Sequence, residues 1–488
     1  MMDSLSYLTS SPQRILLAFL TIISINGCAG KPALFNEEDS GLSTLDTDEI
    51  VYKVFFDREG NIYPDRKGEN SIEIVTNDFT DGSKNGYLQR YFCDNPEQLN
   101  SVALQAGIKN NITNTCMISD DAEEGFSGAI KYGNSLSQDN WLDQWDVIQN
   151  GLLNKHSLIL AELLQREENL DHQLFILIHG YNNSSDAIKD NYNDVRNALR
   201  KNDKYKDMKF IFLDVYWDGF IQPLPVNIWG PAQYTGPVVG IKLRKLLKEV
   251  KPARSVRILT HSSGAFVAGS LVGDSRKALG LWEKKNICTK GHINYDQATC
   301  QYKQVMTSND SMCEIDDYEI IKSNDVRLGM IAPATSAWTF TGGEWSGIED
   351  GRGILKPSGT LRLIAGQHED DFANTKLIGL EDKKGATTLG VRKSSFCEIQ
   401  AHVAKSEILK KYVDVHRVEF STEGEEPYPY YFFRADHALY AYLNRKKATE
   451  FWALFLETDT VPNTKENRSD NNCINAIEEA YSDDDDFL

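Results

Sequence analysis

The sequence is poor in positive charge. It has 52 lysines and arginines against 71 aspartates and glutamates, which gives a formal net charge of −19 over 488 residues. Binding to nucleic acid phosphates needs clustered lysine and arginine, so this balance argues against a nucleic acid partner. The acidity is instead typical of a soluble surface. The apolar fraction of 41% is ordinary for a globular protein and sufficient for a core.

Long apolar runs are also missing. The run Ile15–Ile25 has Arg14 before it, is too short to cross a bilayer as a mature helix, and is typical of an export signal. It leads into INGC, which resembles the lipobox of bacterial lipoproteins and implies acylation of Cys28. That resemblance implies an outer-membrane or cell-surface lipoprotein, anchored to the membrane by lipid. The alternative is plain secretion, with cleavage one or two residues after this cysteine.

Cysteines at the spacing of a zinc site are absent. Apart from Cys28, the chain contains Cys93, Cys116, Cys288, Cys300, Cys313, Cys397 and Cys473. In an oxidising compartment such residues favour disulfides. We expect Cys93 to pair with Cys116 and two of Cys288, Cys300 and Cys313 to pair with each other, although one sequence leaves the connectivity open. Separations of 12 and 13 residues are not C-x-x-C spacings, so no metal site is predicted.

Apolar strands alternate with helices from about residue 170 onwards. The strand candidates are LFILI from 174, KFIFLDVYW from 209, SVRILT from 255, VRLGMIAPA from 326, TLRLIAG from 360 and VDVHRVEF from 413. Near-continuous apolar strands that alternate with helices predict an α/β fold, with a mostly parallel central sheet covered by helices on both faces.

This alternation divides the chain into segments. We predict a signal peptide over 1–27, a tether over 28–48, and N-terminal strands with a helix over 49–166. The main domain follows over 167–460, with a cysteine-containing insertion at 275–325, and the acidic tail covers 461–488. The N-terminal strands are interpreted either as an antiparallel edge of the same sheet or as a small separate domain.

The most informative stretch is VRILTHSSGAFVAGSL, from Val256 to Leu271. A strand, a tight turn at Ser262 and an immediate helix are typical of a nucleophile elbow, which exposes a serine at the carboxyl end of a strand. Gly264 fits the G-x-S-x-G pattern, whereas Thr260 replaces its first glycine. A serine needs a base, an acid that orients the base, and donors for the oxyanion. The alternative is an ordinary strand–turn–helix with an incidental serine.

A second motif, HGYN at 179–182, ends the apolar strand LFILI. Together the two motifs resemble the α/β-hydrolase superfamily, and most closely a bacterial branch with an HGYN loop and an HSxG elbow. The resemblance covers roughly residues 170–445, and DVYWDG at 214–219 fits a Trp-containing turn of that branch. It implies an α/β-hydrolase fold and an oxyanion hole made by the backbone N–H groups of Tyr181 and Ser263.

The superfamily order is serine, acid, histidine. The acid should follow the seventh strand, where RLIAGQHEDDF offers three carboxylates; Asp370 is preferred, while Glu369 and Asp371 stay open. The histidine should follow the last strand, and of nine histidines only His437, in RADHALYAYL, lies there. The predicted triad is therefore Ser262, Asp370 and His437. A surface or capping role is the alternative for His437.

The resemblance implies a serine hydrolase that cleaves a carboxylic ester of a small molecule or lipid through an acyl-enzyme. It implies neither a metal nor an organic cofactor. Two alternatives remain: an inactive surface lipoprotein that uses the fold as a binding scaffold, and a hydrolase of amides or thioesters. The insertion at 275–325 follows the elbow helix, so we expect it to act as a lid.

Overall fold

The structure is a computed structural model. It describes residues 31–32, 41–44, 49–57, 60–66, 88, 91–92, 95–109, 138–181, 183–217, 220–221, 229–251, 254–273, 288–289, 292–293, 321, 323–342, 344–345, 349–350, 353–371, 373–375, 387–421, 437–457 and 473. The predicted signal peptide, the predicted acylation site Cys28, most of the predicted lid and the predicted pairing of Cys93 with Cys116 fall outside these residues.

Eight strands form the main sheet. They are β1 (Gly41–Thr44), β2 (Ile50–Phe56), β3 (Gln173–Ile178), β4 (Phe210–Trp217), β5 (Val256–His261), β6 (Asp325–Ile331), β7 (Thr360–Gln367) and β8 (Val413–Glu419). Their order across the sheet is β8-β7-β6-β5-β3-β4-β2-β1. All neighbours are parallel except β1 and β2, which are antiparallel. The predicted α/β fold with a mostly parallel sheet is confirmed.

Three further strand pairs are short and antiparallel. They join Lys31–Pro32 to Phe220–Ile221, Cys288–Thr289 to His292–Ile293, and Glu344–Trp345 to Glu349–Asp350.

Ten α-helices lie in the described part of the chain. They are α1 (Pro96–Gln105), α2 (Gln138–Gln165), α3 (Ser185–Lys201), α4 (Trp229–Leu246), α5 (Gly264–Val272), α6 (Trp338–Thr341), α7 (Lys393–Lys405), α8 (Leu409–Tyr412), α9 (Leu439–Leu443) and α10 (Ala448–Leu456). Short 3₁₀ turns cover Glu167–Asn169 and Thr388–Gly390.

The central strands are apolar because both of their faces are covered. Every residue of β4 and of β5 is buried, as expected for parallel strands between helices. The N-terminal strand β2 pairs with β4 in parallel, and β1 adds an antiparallel edge beyond it. The N-terminal strands therefore extend the main sheet.

The carboxyl ends of the strands reach one rim of the sheet. His261 at the end of β5 is in register with Ile331 at the end of β6, and Ile331 is in register with Gly366 near the end of β7. Parallel sheets bind ligands at this rim, outside the carboxyl ends of their strands. The register therefore brings the ends of β5, β6 and β7 together at the edge where a site is expected.

Two features of the C-terminal part were not predicted. Cys397 on α7 forms a disulfide with Cys473, across a separation of 76 residues. The segment after His437 forms two separate helices, α9 and α10. Arg445 lies between them and donates a hydrogen bond to the carbonyl of Phe420, the residue that follows β8. This bond holds the turn between the two helices against the end of the sheet.

The described residues hold neither a membrane-spanning helix nor a cluster of metal ligands. None of their helices combines the length and apolarity that crossing a bilayer requires. Nor does any group of three or more histidines, cysteines, aspartates or glutamates gather among them as a metal site.

Candidate active site

Ser262 lies on a strained turn between β5 and α5. Its φ is +54°, and the only other non-glycine residue with positive φ in the described ranges is Ala332, which follows β6. Such backbone conformations cost energy and persist where surrounding contacts enforce them, often at functional sites. Here the Ser262 N–H donates to the carbonyl of Ile331 at 3.0 Å, and its carbonyl accepts from Ala334 at 3.1 Å. The end of β6 therefore holds the turn in place.

The glycines of both motifs permit a close approach between the HGYN loop and the elbow. A Cβ at Gly180 would lie 2.7 Å from the Cβ of Ser262, and a Cβ at Gly264 would lie 2.7 Å from the carbonyl oxygen of His179. Neither distance is tolerable for a real side chain. The two glycines are thus needed for the same contact, which explains why the motifs occur together.

The side chain of His437 lies between Ser262 and a carboxylate. Its Nε2 is 2.7 Å from the Oγ of Ser262, and its Nδ1 is 2.7 Å from the Oδ2 of Asp371. Since an ionised carboxylate only accepts hydrogen bonds, Nδ1 carries the proton and Nε2 is free to accept from the serine hydroxyl. The sequence prediction of Ser262 and His437 as partners agrees with this geometry.

The acid that contacts His437 is Asp371, and the choice of Asp370 from the sequence was wrong. The turn after β7 is closed by a hydrogen bond from the Asp371 N–H to the carbonyl of His368 at 3.0 Å. This turn directs Asp371 inward, where it is fully buried. Asp370 is exposed, and the Glu369 side chain is 62% exposed and lies 3.5 Å from Arg417.

Asp371 is stabilised as an anion by several donors. The backbone N–H groups of Ala373 and Asn374 donate to Oδ1 at 3.0 Å, and the Tyr442 hydroxyl donates to Oδ2 at 2.6 Å. Burial alone would raise the pKa of Asp371, but the His437 ring and these donors lower it to about 2. The pKa of Tyr442 is raised by burial and then by the Asp371 charge. The carboxylate therefore stays ionised.

The two residues expected to supply the oxyanion donors are brought together, but the backbone N–H of one is bonded to the side chain of the other. The backbone N–H of Tyr181 donates to the side-chain Oγ of Ser263 at 2.7 Å, although the resemblance implied that it would face the substrate. Asn183 supports the loop by donating to the carbonyl of Gly180 at 3.0 Å. Ser263 directly precedes α5. The Tyr181 amide is therefore bonded to the hydroxyl beside the candidate nucleophile.

His179 anchors the HGYN loop to β4. Its Nδ1–H donates to the carbonyl of Gly180 at 2.6 Å, and its Nε2 accepts from the backbone N–H of Trp217 at 3.0 Å. The Trp217 indole N–H donates in turn to the carbonyl of His179 at 2.8 Å. Burial lowers the pKa of His179 to about 3, so the ring is neutral. Trp217, the last residue of β4, thus fixes the position of the HGYN loop.

Sequence reasoning missed three residues that support these groups. Tyr442 and Asn374 bond to Asp371, and His261 donates from Nε2 to the carbonyl of His437 at 2.7 Å. Asn374 carried a local signal, because Asp residues often accept from backbone N–H groups two or three residues on. Tyr442 carried none, since its partner lies far away in the chain. His261 belongs to the HSxG motif, but the motif does not indicate its contact with the main chain of His437.

The arrangement can move a proton from the Ser262 hydroxyl to His437 while Asp371 balances the resulting charge. Comparisons with known proteins add no assignment: no protein-family model matches the chain, and a search of curated proteins finds no match.

Proposed function

We propose that this chain is a serine hydrolase of the α/β-hydrolase superfamily, acting on carboxylic esters. The strongest support is the relay from Ser262 through His437 to the buried Asp371, with both contacts at 2.7 Å. The three residues follow β5, β8 and β7, which are the positions that the superfamily resemblance implies. Burying a carboxylate and straining the backbone of a serine both cost free energy of folding. An acyl-transfer site needs both features, which supports this function.

In the first half-reaction, the Ser262 oxygen attacks the ester carbonyl carbon as His437 Nε2 takes the hydroxyl proton. The π electron pair of the C=O bond moves to the carbonyl oxygen, which gives a tetrahedral intermediate with a negatively charged oxygen. Asp371 keeps the Nδ1–H bonded and stabilises the imidazolium. The C–O bond to the alcohol then breaks as His437 returns its proton to the departing oxygen, which leaves an acyl ester on Ser262.

In the second half-reaction, water loses a proton to His437 Nε2 and attacks the acyl carbonyl. Collapse of the new intermediate expels the Ser262 oxygen, which regains the proton. Esters are proposed in preference to amides because an alcohol leaves more easily than an amine. Parallel kinetics on matched ester, amide and thioester substrates test this preference.

A fluorophosphonate probe tests the proposal directly, because only an activated serine is phosphonylated at a useful rate. We expect the wild-type protein to label with a mass increase on Ser262, and Ser262→Ala to lose both labelling and ester turnover. Ser263→Ala is the matched control: it removes the neighbouring hydroxyl and should keep labelling. Folding of each variant is checked by circular dichroism and thermal melting.

Retained ester turnover by folded Ser262→Ala would remove this serine from the mechanism. An unlabelled and inactive wild-type protein would instead favour the scaffold alternative, in which the fold is kept without chemistry.

We also propose export and lipid anchoring at Cys28. The Cys397–Cys473 disulfide supports the export part, because disulfides persist mainly in oxidising compartments. Mass spectrometry of the mature N-terminus tests the anchor, and a soluble mature protein without acyl mass on Cys28 would rule it out.

A further inference from the structure

His261 joins the strand that carries the nucleophile to the loop that carries the base. It is the last residue of β5, and its backbone is fixed in register with Ile331 of β6. The residue is only 7% exposed. Its Nε2–H donates to the main-chain carbonyl of His437 at 2.7 Å, and the two rings lie 5.0 Å apart. One side chain thus spans the two halves of the relay.

The bonding of His261 differs from that of His179, although each is buried at or beside the end of a central strand. His179 has a hydrogen-bond partner on each ring nitrogen. The Nδ1 of His261 is buried without a hydrogen-bond partner among the described residues. Burying an unpaired acceptor is unfavourable, so an apolar residue would suit this position better if packing alone mattered. The single hydrogen bond of the ring goes to the main chain of His437.

The charge state of His261 suits that contact. Burial, followed by the nearby His437, lowers the pKa of His261 to about 3, so the ring is neutral. A neutral imidazole carries one N–H, and the contact with a carbonyl requires that it be on Nε2. Its neutrality also means that it does not oppose the positive charge that the proposed mechanism places on His437.

We infer that His261 is a positioning residue that holds the main chain of His437 in register with Ser262. The inference rests on the proposed function. Proton transfer requires the two heavy atoms to stay within hydrogen-bond distance, and a displacement of about 1 Å can reduce the rate about 100-fold. The side chain of His437 must change protonation state and partner during turnover, whereas its carbonyl does not. A bond to the carbonyl therefore keeps the base in place throughout the cycle.

The experiment uses glutamine and asparagine at position 261. The amide nitrogen of glutamine reaches about as far as Nε2 of histidine, whereas that of asparagine corresponds to Nδ1 and is too short. We expect His261→Asn and His261→Leu to lower kcat and the rate of phosphonylation about 10- to 100-fold, with KM changed less than about threefold. His261→Gln should keep most of the wild-type rate. A role in packing alone would not separate glutamine from asparagine in this way.

His156→Leu is the matched control. His156 is 1% exposed on α2, bonds to the Tyr52 hydroxyl at 2.7 Å, and is also neutral. It should change stability but leave the rate of the folded protein unchanged. If His261→Leu fails to fold, the comparison between Gln and Asn decides alone.

Equal phosphonylation rates for wild type, His261→Gln and His261→Asn would overturn the inference and leave the proposed function intact. A wild-type protein without Ser262-dependent labelling would refute both.

Discussion

Three aspartates among the described residues are completely buried, and two of them, Asp214 and Asp371, have basic partners of different kinds. Asp214, in β4, receives the Arg196 guanidinium of α3 at 2.9 and 3.1 Å. Asp371, after β7, receives the imidazole of His437 at 2.7 Å. In both places an anion is removed from water and compensated by a nearby group, as buried charges require. The partners differ in that arginine keeps its proton at any pH a protein meets, whereas histidine exchanges it.

This difference separates a structural pair from a pair suited to chemistry. The guanidinium of Arg196 binds α3 to the sheet and does not release its protons. The ring of His437 has a second nitrogen, and that nitrogen faces the Ser262 hydroxyl. The same carboxylate chemistry therefore stabilises the fold in one place and, in the function we propose, supports proton transfer in the other.

The largest expected effect is that of Asp371→Asn. An asparagine amide can donate to Nδ1 of His437, which would move the ring proton to Nε2 and leave no acceptor for the Ser262 hydroxyl. We expect kcat and the rate of phosphonylation to fall about 10³- to 10⁴-fold while the fold is retained. Ester kinetics together with thermal melting measure both quantities.

Asp214→Asn is the matched control for that variant. It removes the nearer of two carboxylates beside the buried Arg196, whose Nε also lies 3.9 Å from Glu49, so it should lower the free energy of unfolding by up to about 3–5 kcal/mol. The rate of phosphonylation of the folded protein should stay at the wild-type level. If Asp214→Asn instead lowered the rate of phosphonylation strongly while leaving the free energy of unfolding unchanged, the two aspartates would not differ in the way proposed.

The second prediction concerns stability at acid pH. The folded-state pKa of Asp371 is lowered to about 2 from the ordinary value of 3.8. A lowered pKa means that the carboxylate contributes stability above pH 3.8, and that this contribution is lost as the pH falls through about 2. The contribution is about 2 kcal/mol. The free energy of unfolding should therefore fall more steeply from pH 4 to pH 2 in wild type than in Asp371→Asn, as measured by denaturant titration. Parallel curves would contradict the assignment.

Much of the fold and two members of the relay could be predicted from the sequence, because their signals are local. The apolar strands alternate with helices, and the turn at Ser262 is marked by its small neighbours. His437 followed from the order of the strands. In each of these cases the residues that decide the structure lie within a few positions of one another or follow a fixed order along the chain.

The remaining details could not be predicted, because distant contacts decide them. Asp371 and Asp370 are adjacent and chemically identical, and what separates them includes the Tyr442 hydroxyl, 71 residues away. Likewise, the Tyr181 amide meets the Ser263 hydroxyl across 82 residues. No periodicity or motif encodes such a pairing; it follows only once the sheet order brings two loops to the same rim.

The contact between the Tyr181 amide and the Ser263 hydroxyl leads to the smallest effect that we predict. An oxyanion bound by the Tyr181 amide would lie 2.7–3.1 Å from its nitrogen, and the Ser263 hydroxyl oxygen already occupies a position at 2.7 Å. Two oxygens cannot share that position, so the hydroxyl must move before the amide can stabilise developing charge. Ser263→Ala removes this step and a hydrogen bond of about 0.5–1.5 kcal/mol. We expect phosphonylation to become about 2- to 10-fold faster. A slower reaction would mean that the Ser263 hydroxyl itself donates to the oxyanion and that the Tyr181 N–H acts by holding this hydroxyl in place. Ser263 would then take part in the chemistry, as Asp371 does, and would not be a purely structural residue.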